Sequence, residues 1–103
     1  MIVRLKEIYE VKGGNAHPGM TAYKKKFQSR DVFVNPTHVV CIREDSNYRG
    51  MLTESDCSAD IDTTANYTRV FMNRGQSGID LVVEGTPSQV ERVLHAGKEL
   101  LHG

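Results

Sequence analysis

The chain has 103 residues, of which 39% are apolar and 25% are charged, and its formal net charge is zero. These values fit one globular domain and exclude disorder, while the absence of net charge gives no field that favours nucleic acid or an anionic membrane. No apolar run is long enough to span a bilayer, and charges interrupt the N-terminus too early for a signal peptide. We therefore expect a single soluble, cytoplasmic domain over 1–103, with Cys41 and Cys57 as reduced thiols.

The first predicted element covers residues 2–11. Val3, Leu5 and Ile8 change parity along this segment, which indicates a strand with a bulge. A short helix is the alternative, because Leu5, Ile8 and Tyr9 also fit helical spacing.

Short strands follow, separated by turn residues. The glycine-rich segment 13–19 predicts a loop, and Asn35-Pro36 predicts a tight turn. Period-two alternation or β-branched and aromatic residues indicate strands at 31–34, 38–44, 66–72 and 79–84, and residues 20–27 are compatible with the start of another.

Residues 45–64 differ in composition from the rest of the chain. They carry five acidic residues and a single arginine, Arg49, and they show no apolar periodicity. A stretch of about twenty residues of this kind is long for a compact domain, so it predicts a polar, acidic loop insertion.

The C-terminal segment predicts an amphipathic helix. Thr86, Pro87 and Gln89 fit the N-cap, first-turn proline and third position of a capping box. Apolar residues then recur on one helical stripe, at Val90, Val93, Leu94, Leu100 and Leu101.

Two segments together resemble a known family. Residues 31–44 contain the turn Asn35-Pro36 between two apolar strands, and 66–95 contain a strand, a glycine turn, a second strand and the capped helix. This order resembles the small flagellar FlbD family and unassigned phage and bacterial proteins of the same layout. The resemblance implies the fold; no catalytic residue comes with it.

The fold expected from these elements is α+β, with an antiparallel sheet of about five strands and one C-terminal helix packed on it. One helix covers only part of such a sheet. The apolar residues expected on the uncovered face are Val39, Cys41, Val70, Met72 and Val82. The N-terminal residues, the insertion or a second copy must bury them, and we favour a homo-oligomer.

Catalytic and metal-binding motifs are not expected from the sequence. His38 and Cys41 are three residues apart, so in a strand they face opposite sides. The acidic residues 56–62 lack the glycine and the terminal glutamate of an EF-hand loop. We therefore predict neither an enzyme nor a cofactor or metal site.

Basic and aromatic residues on or beside the strands indicate where an anion would bind. Arginine gives bidentate hydrogen bonds to phosphate, and tyrosine stacks on a base. The predicted ligand residues are Arg30, Arg43, Arg69 and Tyr67. Neutralisation of these arginines by Glu7, Glu44, Asp80 or the acids of 45–64 is the alternative.

The function predicted from the sequence is a non-catalytic binding protein, encoded by a phage or mobile element and acting as a homo-oligomer. Its ligand would be a small, anionic, nucleotide-like molecule held at subunit junctions. The alternative is a regulatory module that binds a host protein through its sheet face or its acidic loop. Nucleic acid and membrane are not expected partners, because the chain carries no net charge.

Overall fold

The computed structural model describes residues 2–11, 25–74 and 77–102, so the loop expected at 13–19 and the strand start expected before residue 25 lie outside the described residues. The strands are β1 (Val3–Glu10), β2 (Lys26–Val34), β3 (Val39–Glu44), β4 (Asp56–Cys57), β5 (Tyr67–Arg74) and β6 (Ser77–Glu84). The helices are α1 (Ser46–Thr53) and α2 (Pro87–His102), and a 3₁₀ turn (Pro36–His38) joins β2 to β3.

The six strands of the described residues form one sheet in the order β3-β5-β6-β1-β2-β4. Every pairing is antiparallel except that of β2 with the short β4, which is parallel. The α+β class is therefore confirmed. The expected antiparallel sheet of about five strands with one helix is corrected to a mixed six-stranded sheet with two helices.

The extra helix and strand come from residues 45–64, which the sequence indicated to be a loop. Asp45 caps α1, since its Oδ1 accepts a hydrogen bond from the Tyr48 backbone N–H at 3.1 Å. Tyr48 and Leu52 are one helical turn apart, and both are buried. The eight residues contain three apolar side chains, Tyr48, Met51 and Leu52, whose spacing is helical, but so short a run among polar residues does not by itself predict a helix.

The two faces of the sheet carry separate cores. We call them the α1 face and the α2 face, after the helix that packs on each. The α1-face core contains Ile8, Phe27, Tyr48, Leu52, Ile61, Tyr67 and Val82. The α2-face core contains Leu5, Val34, Val70, Val83, Val90 and Leu94.

The apolar residues expected on one uncovered face are therefore divided between the two faces. Val70 belongs to the α2-face core and Val82 to the α1-face core. The insertion itself buries Val82, because α1 and Ile61 pack in the same cluster. A second copy of the chain is not needed to cover this part of the sheet.

Along β1, the apolar residues change from odd-numbered to even-numbered positions, and this change also results from the two cores. The register of β1 with β2 is uninterrupted from Val3 to Glu10, so β1 is a strand without the expected bulge. Leu5 and Ile8 point to opposite faces and each enters a different core. The bulge lies in β3 instead, between Val39 and Cys41, and it leaves Val40 67% exposed.

The connection from β2 to β3 requires the sheet to curl. These strands are four positions apart in the order, which is about 19 Å in a flat sheet. The chain from Val34 to Val39 spans at most about 17 Å, and less because it includes a 3₁₀ turn. The turn contacts α2 and β5, so it crosses the α2 face and that face is the concave one.

The N-terminus of α2 has the predicted capping box. Gln89 Oε1 accepts from the Thr86 N–H at 2.9 Å, and Thr86 Oγ1 accepts from the Gln89 N–H at 3.2 Å. Gly85, with φ of 121°, provides the left-handed residue between β6 and the helix. Among the described residues, neither helix has the length and apolarity to cross a bilayer.

Candidate functional site

Arg30 lies in the middle of β2 and on the concave α2 face. Its cross-strand neighbour is Glu7 on β1, and its Nε donates to Glu7 Oε1 at 2.7 Å. The guanidinium carbon also lies 4.1 Å from the centre of the Tyr9 ring. The hydrogen bond and the charge of Glu7 raise the pKa of Arg30 above its ordinary value. Glu7 is only 6% exposed, so the pair is held at the sheet surface rather than free in solvent.

This pair borders a hollow of about 430 Å³ on the α2 face. None of the α2 side chains that are described line it. Its apolar walls come from β2, β5 and β6, and its polar groups come from β1, β2, β5 and the 3₁₀ turn. The lining residues are Glu7, Arg30, Val32, Phe33, Val34, Asn35, His38, Met72, Asn73, Ile79 and Leu81.

Arg69 and Arg43 are direct cross-strand neighbours on the α1 face. Arg69 is neutralised, because its Nη2 and Nε donate to Asp45 Oδ2 at 2.8 and 3.2 Å and its Nη1 donates to Asp80. The hydrogen bond from Arg69 to Asp45 is the main cause of a raised Arg69 pKa. Arg69 thus ties the N-cap of α1 to the sheet.

Arg43 is exposed, and its guanidinium carbon lies 5.9 Å from the centre of the Phe71 ring. Within the described parts of the chain, no carboxylate lies within ion-pair distance of it. It borders a second hollow, of about 480 Å³, on the α1 face between β3 and the β5–β6 hairpin.

Tyr67 is buried in the α1-face core, with 1% of its surface exposed. Its hydroxyl donates to the backbone carbonyl of Asp62, and its ring centre lies 5.9 Å from that of Tyr48. Burial raises the pKa of Tyr67 to about 12. Tyr67 therefore packs in the core of the single chain, where its ring is not exposed to a ligand.

The four predicted ligand residues do not form one surface in a single chain. Arg43 and Arg69 lie together, whereas Arg30 is on the opposite face. Glu7, Asp45 and Asp80 pair with two of the three arginines, as the alternative reading of the sequence allowed. Sequence reasoning missed Tyr9 and the hollow beside Arg30, because both depend on the pairing of β1 with β2 and on the curl of the sheet.

Two of the acidic residues after α1, Asp60 and Asp62, accept hydrogen bonds from nearby hydroxyl and backbone groups. Asp60 accepts from Ser29 and, at 2.6 Å, from Ser58 Oγ, while Asp62 accepts from the backbone N–H and hydroxyl of Thr64. These hydrogen bonds lower the pKa of both carboxyl groups. Among the described residues, no three His, Cys, Asp or Glu side chains are grouped closely enough to hold a metal ion.

Comparison with known proteins found no matching family model, no matching curated protein and no matching solved structure. Over the described residues, the fold is a mixed six-stranded sheet with a helix on each face.

Proposed function

We propose that this protein is a non-catalytic binding protein that holds a small, anionic, nucleotide-like ligand in the hollow beside Arg30. The observation that carries the proposal is an arginine fixed in position at the edge of an apolar hollow. The volume, about 430 Å³, lies in the range of small-molecule sites, which are mostly apolar with a few placed polar groups.

The contacts of Arg30 hold its guanidinium in a position from which it can bind an anion. Glu7 holds the Nε edge, and the Tyr9 ring lies under the guanidinium plane. In the described structure, the Nη atoms have no protein partner, and the side chain is 57% exposed. A phosphate or carboxylate can therefore accept from Arg30 without displacing Glu7, and little side-chain entropy is lost on binding.

The walls of the hollow can contact the part of the ligand that lies away from its anionic group. Val32, Met72 and Leu81 offer apolar contact to a ring or chain, while Asn35 and Asn73 offer amide groups that distinguish one ligand from another. A guanidinium remains protonated at neutral pH, so Arg30 binds charge but does not transfer protons. This chemistry supports binding without catalysis.

Calorimetry with a panel of cyclic and linear nucleotides tests the proposal. We expect at least one to bind the wild-type protein, and we expect Arg30→Ala to weaken that binding by about tenfold or more, because a charged hydrogen bond contributes roughly 1.5–3 kcal/mol. Arg92→Ala is the matched control, since Arg92 is exposed on α2 and away from the hollow. Equal affinities of the two variants, or no binding by the wild-type protein, would refute the site.

We also propose that the protein acts as a homo-oligomer. Ile2 and Phe33 lie at the same end of the β1–β2 pair and are 62% and 67% exposed, so two large apolar side chains are exposed near each other on the surface. Light scattering is expected to give a mass well above 11.5 kDa, and Phe33→Glu should lower it. Val93→Glu, on the exposed side of α2, is the control. A monomeric mass for the wild-type protein at all accessible concentrations would contradict the oligomer.

A further inference from the structure

We propose that the free edge of β3 binds an extended segment of a partner protein, which adds to the sheet as a further strand and places an acidic side chain at Arg43. The proposal is independent of the ligand site beside Arg30, which lies on β2. The partner is defined by its chemistry: an extended segment in which apolar and acidic residues alternate.

The edge of β3 is open in the described structure. β3 is the first strand in the sheet order, and only β5 pairs with it. The strand is mostly apolar from Val39 to Ile42, with Val40 67% exposed and Cys41 also exposed. Natural edge strands are commonly protected by lysine, proline, β-bulges or short length; β3 has a bulge at Val40, but no lysine or proline. At the opposite edge, β4 covers only Lys26 and Phe27 of β2, but the next β2 residues, 28–31, are all polar or charged, whereas β3 is apolar from Val39 to Ile42.

A hollow lies on each side of this edge. On the α2 face, an open hollow of about 280 Å³ lies between β3, the 3₁₀ turn and α2. On the α1 face is the hollow of about 480 Å³ beside Arg43 and Phe71. Val40 and Cys41 border both hollows. Side chains of an added strand alternate between the two faces, so successive residues would enter the two hollows in turn.

The positive charge of Arg43 indicates which face of the added strand should carry the acidic side chains. Arg43 lies directly opposite Arg69, and like charges at this position are unfavourable. Arg69 already has Asp45 and Asp80, whereas Arg43 has no carboxylate partner among the described residues. A carboxylate from the added strand would pair with Arg43 on the α1 face. The hollow on the other face is lined by Val39, Ile42 and Leu94 and also by Glu91 and His95, so it would accept an apolar side chain, and Glu91 would repel a carboxylate there.

A second copy of β3 fits this edge less well. In a continuous antiparallel sheet centred on Ile42, the Arg43 side chains of the two copies lie on the same face and close together. Their repulsion would disfavour the pairing, and no acidic residue of β3 lies on that face to relieve it, since Glu44 faces the other way. We therefore assign the edge to a partner strand rather than to self-association.

The test uses two short synthetic peptides with blocked ends, one alternating Val with Glu and the other alternating Val with Lys. We expect the wild-type protein to bind the Val-Glu peptide about tenfold more tightly than the Val-Lys peptide. Arg43→Glu should reverse this preference, while Arg92→Glu, a charge reversal on α2, should leave it unchanged. Circular dichroism checks that each variant is folded.

Amide hydrogen exchange shows where the peptide binds. Protection that appears at residues 40–44 on addition of the Val-Glu peptide would support strand addition at this edge. The proposal is overturned by absence of binding, by equal affinity for both peptides, or by protection confined to other strands. It is also overturned if these amides are already protected in a peptide-free oligomer, because a second copy would then occupy the edge.

Discussion

Replacing Leu52 with alanine should lower the free energy of unfolding by about 2–5 kcal/mol, the usual cost of truncating a fully buried leucine. Leu52 is 0% exposed and lies in the α1-face core with Tyr48 and Ile61. The variant leaves a cavity between α1 and the sheet. The result bears directly on residues 45–64, because a mobile loop would lose nothing when one of its leucines is shortened.

Denaturant unfolding of the wild-type protein and the variant measures this change. Val93→Ala is the matched control, since Val93 is 40% exposed on α2 and its truncation should change stability by no more than about 0.5 kcal/mol. A Leu52→Ala effect as small as that of Val93→Ala would show that α1 does not contribute to the core.

Raising the pH from about 10 to about 12 should destabilise the protein through two buried tyrosines. Burial is the largest cause that raises the pKa of Tyr48 and of Tyr67 from 10.0 to about 12. Above pH 10 the unfolded chain releases these phenolic protons while the folded protein retains them. The unfolded state then binds fewer protons, so the free energy of unfolding falls as the pH rises. We expect a loss on the order of 1–2 kcal/mol for each tyrosine.

The Tyr48→Phe variant separates the effect of tyrosine ionisation from that of lysine ionisation, because both proteins have the same lysines. No hydrogen bond of the Tyr48 hydroxyl is found among the described residues, whereas Tyr67→Phe also removes the hydrogen bond to Asp62. Urea unfolding across this pH range should therefore give a shallower decline for Tyr48→Phe than for the wild-type protein. Parallel declines would show that the Tyr48 phenol ionises equally in the folded and unfolded states.

Strong local signals in the sequence predicted several elements correctly. The alternation of Tyr67, Arg69 and Phe71 with their neighbours matches β5, and the box from Thr86 to Gln89 begins α2 as expected. These signals depend only on residues close in sequence. The helix α1 depends on a distant partner, because Arg69 on β5 binds its N-cap Asp45 and a sheet face buries Leu52. Stabilisation by residues so distant in the chain leaves no pattern among neighbouring residues of the sequence.

In the candidate site, too, the sequence indicated residue types, whereas the tertiary structure decided how they are arranged. The sequence predicted arginines as the anion-binding groups, and one of them, Arg30, borders the hollow beside the carboxylate of Glu7. It did not separate Arg30 from Arg43 and Arg69, because the face of each residue depends on the register of its strand. A shift of one residue would exchange the faces. Tyr67 was assigned to a ligand, whereas the structure packs it against Tyr48.

The sequence by itself determined the α+β class, the positions of β1, β3, β5, β6 and part of β2, and the cap of α2, because alternation, turn residues and capping act over a few neighbouring positions. Tertiary structure decided which arginines share a face, that α1 covers the second face, and that the sheet curls into a hollow beside Arg30. These features arise from strand pairing between residues distant in the chain and from the short connection between β2 and β3. Their stability comes from contacts between residues that are far apart in the sequence, so no short segment of the chain predicts them.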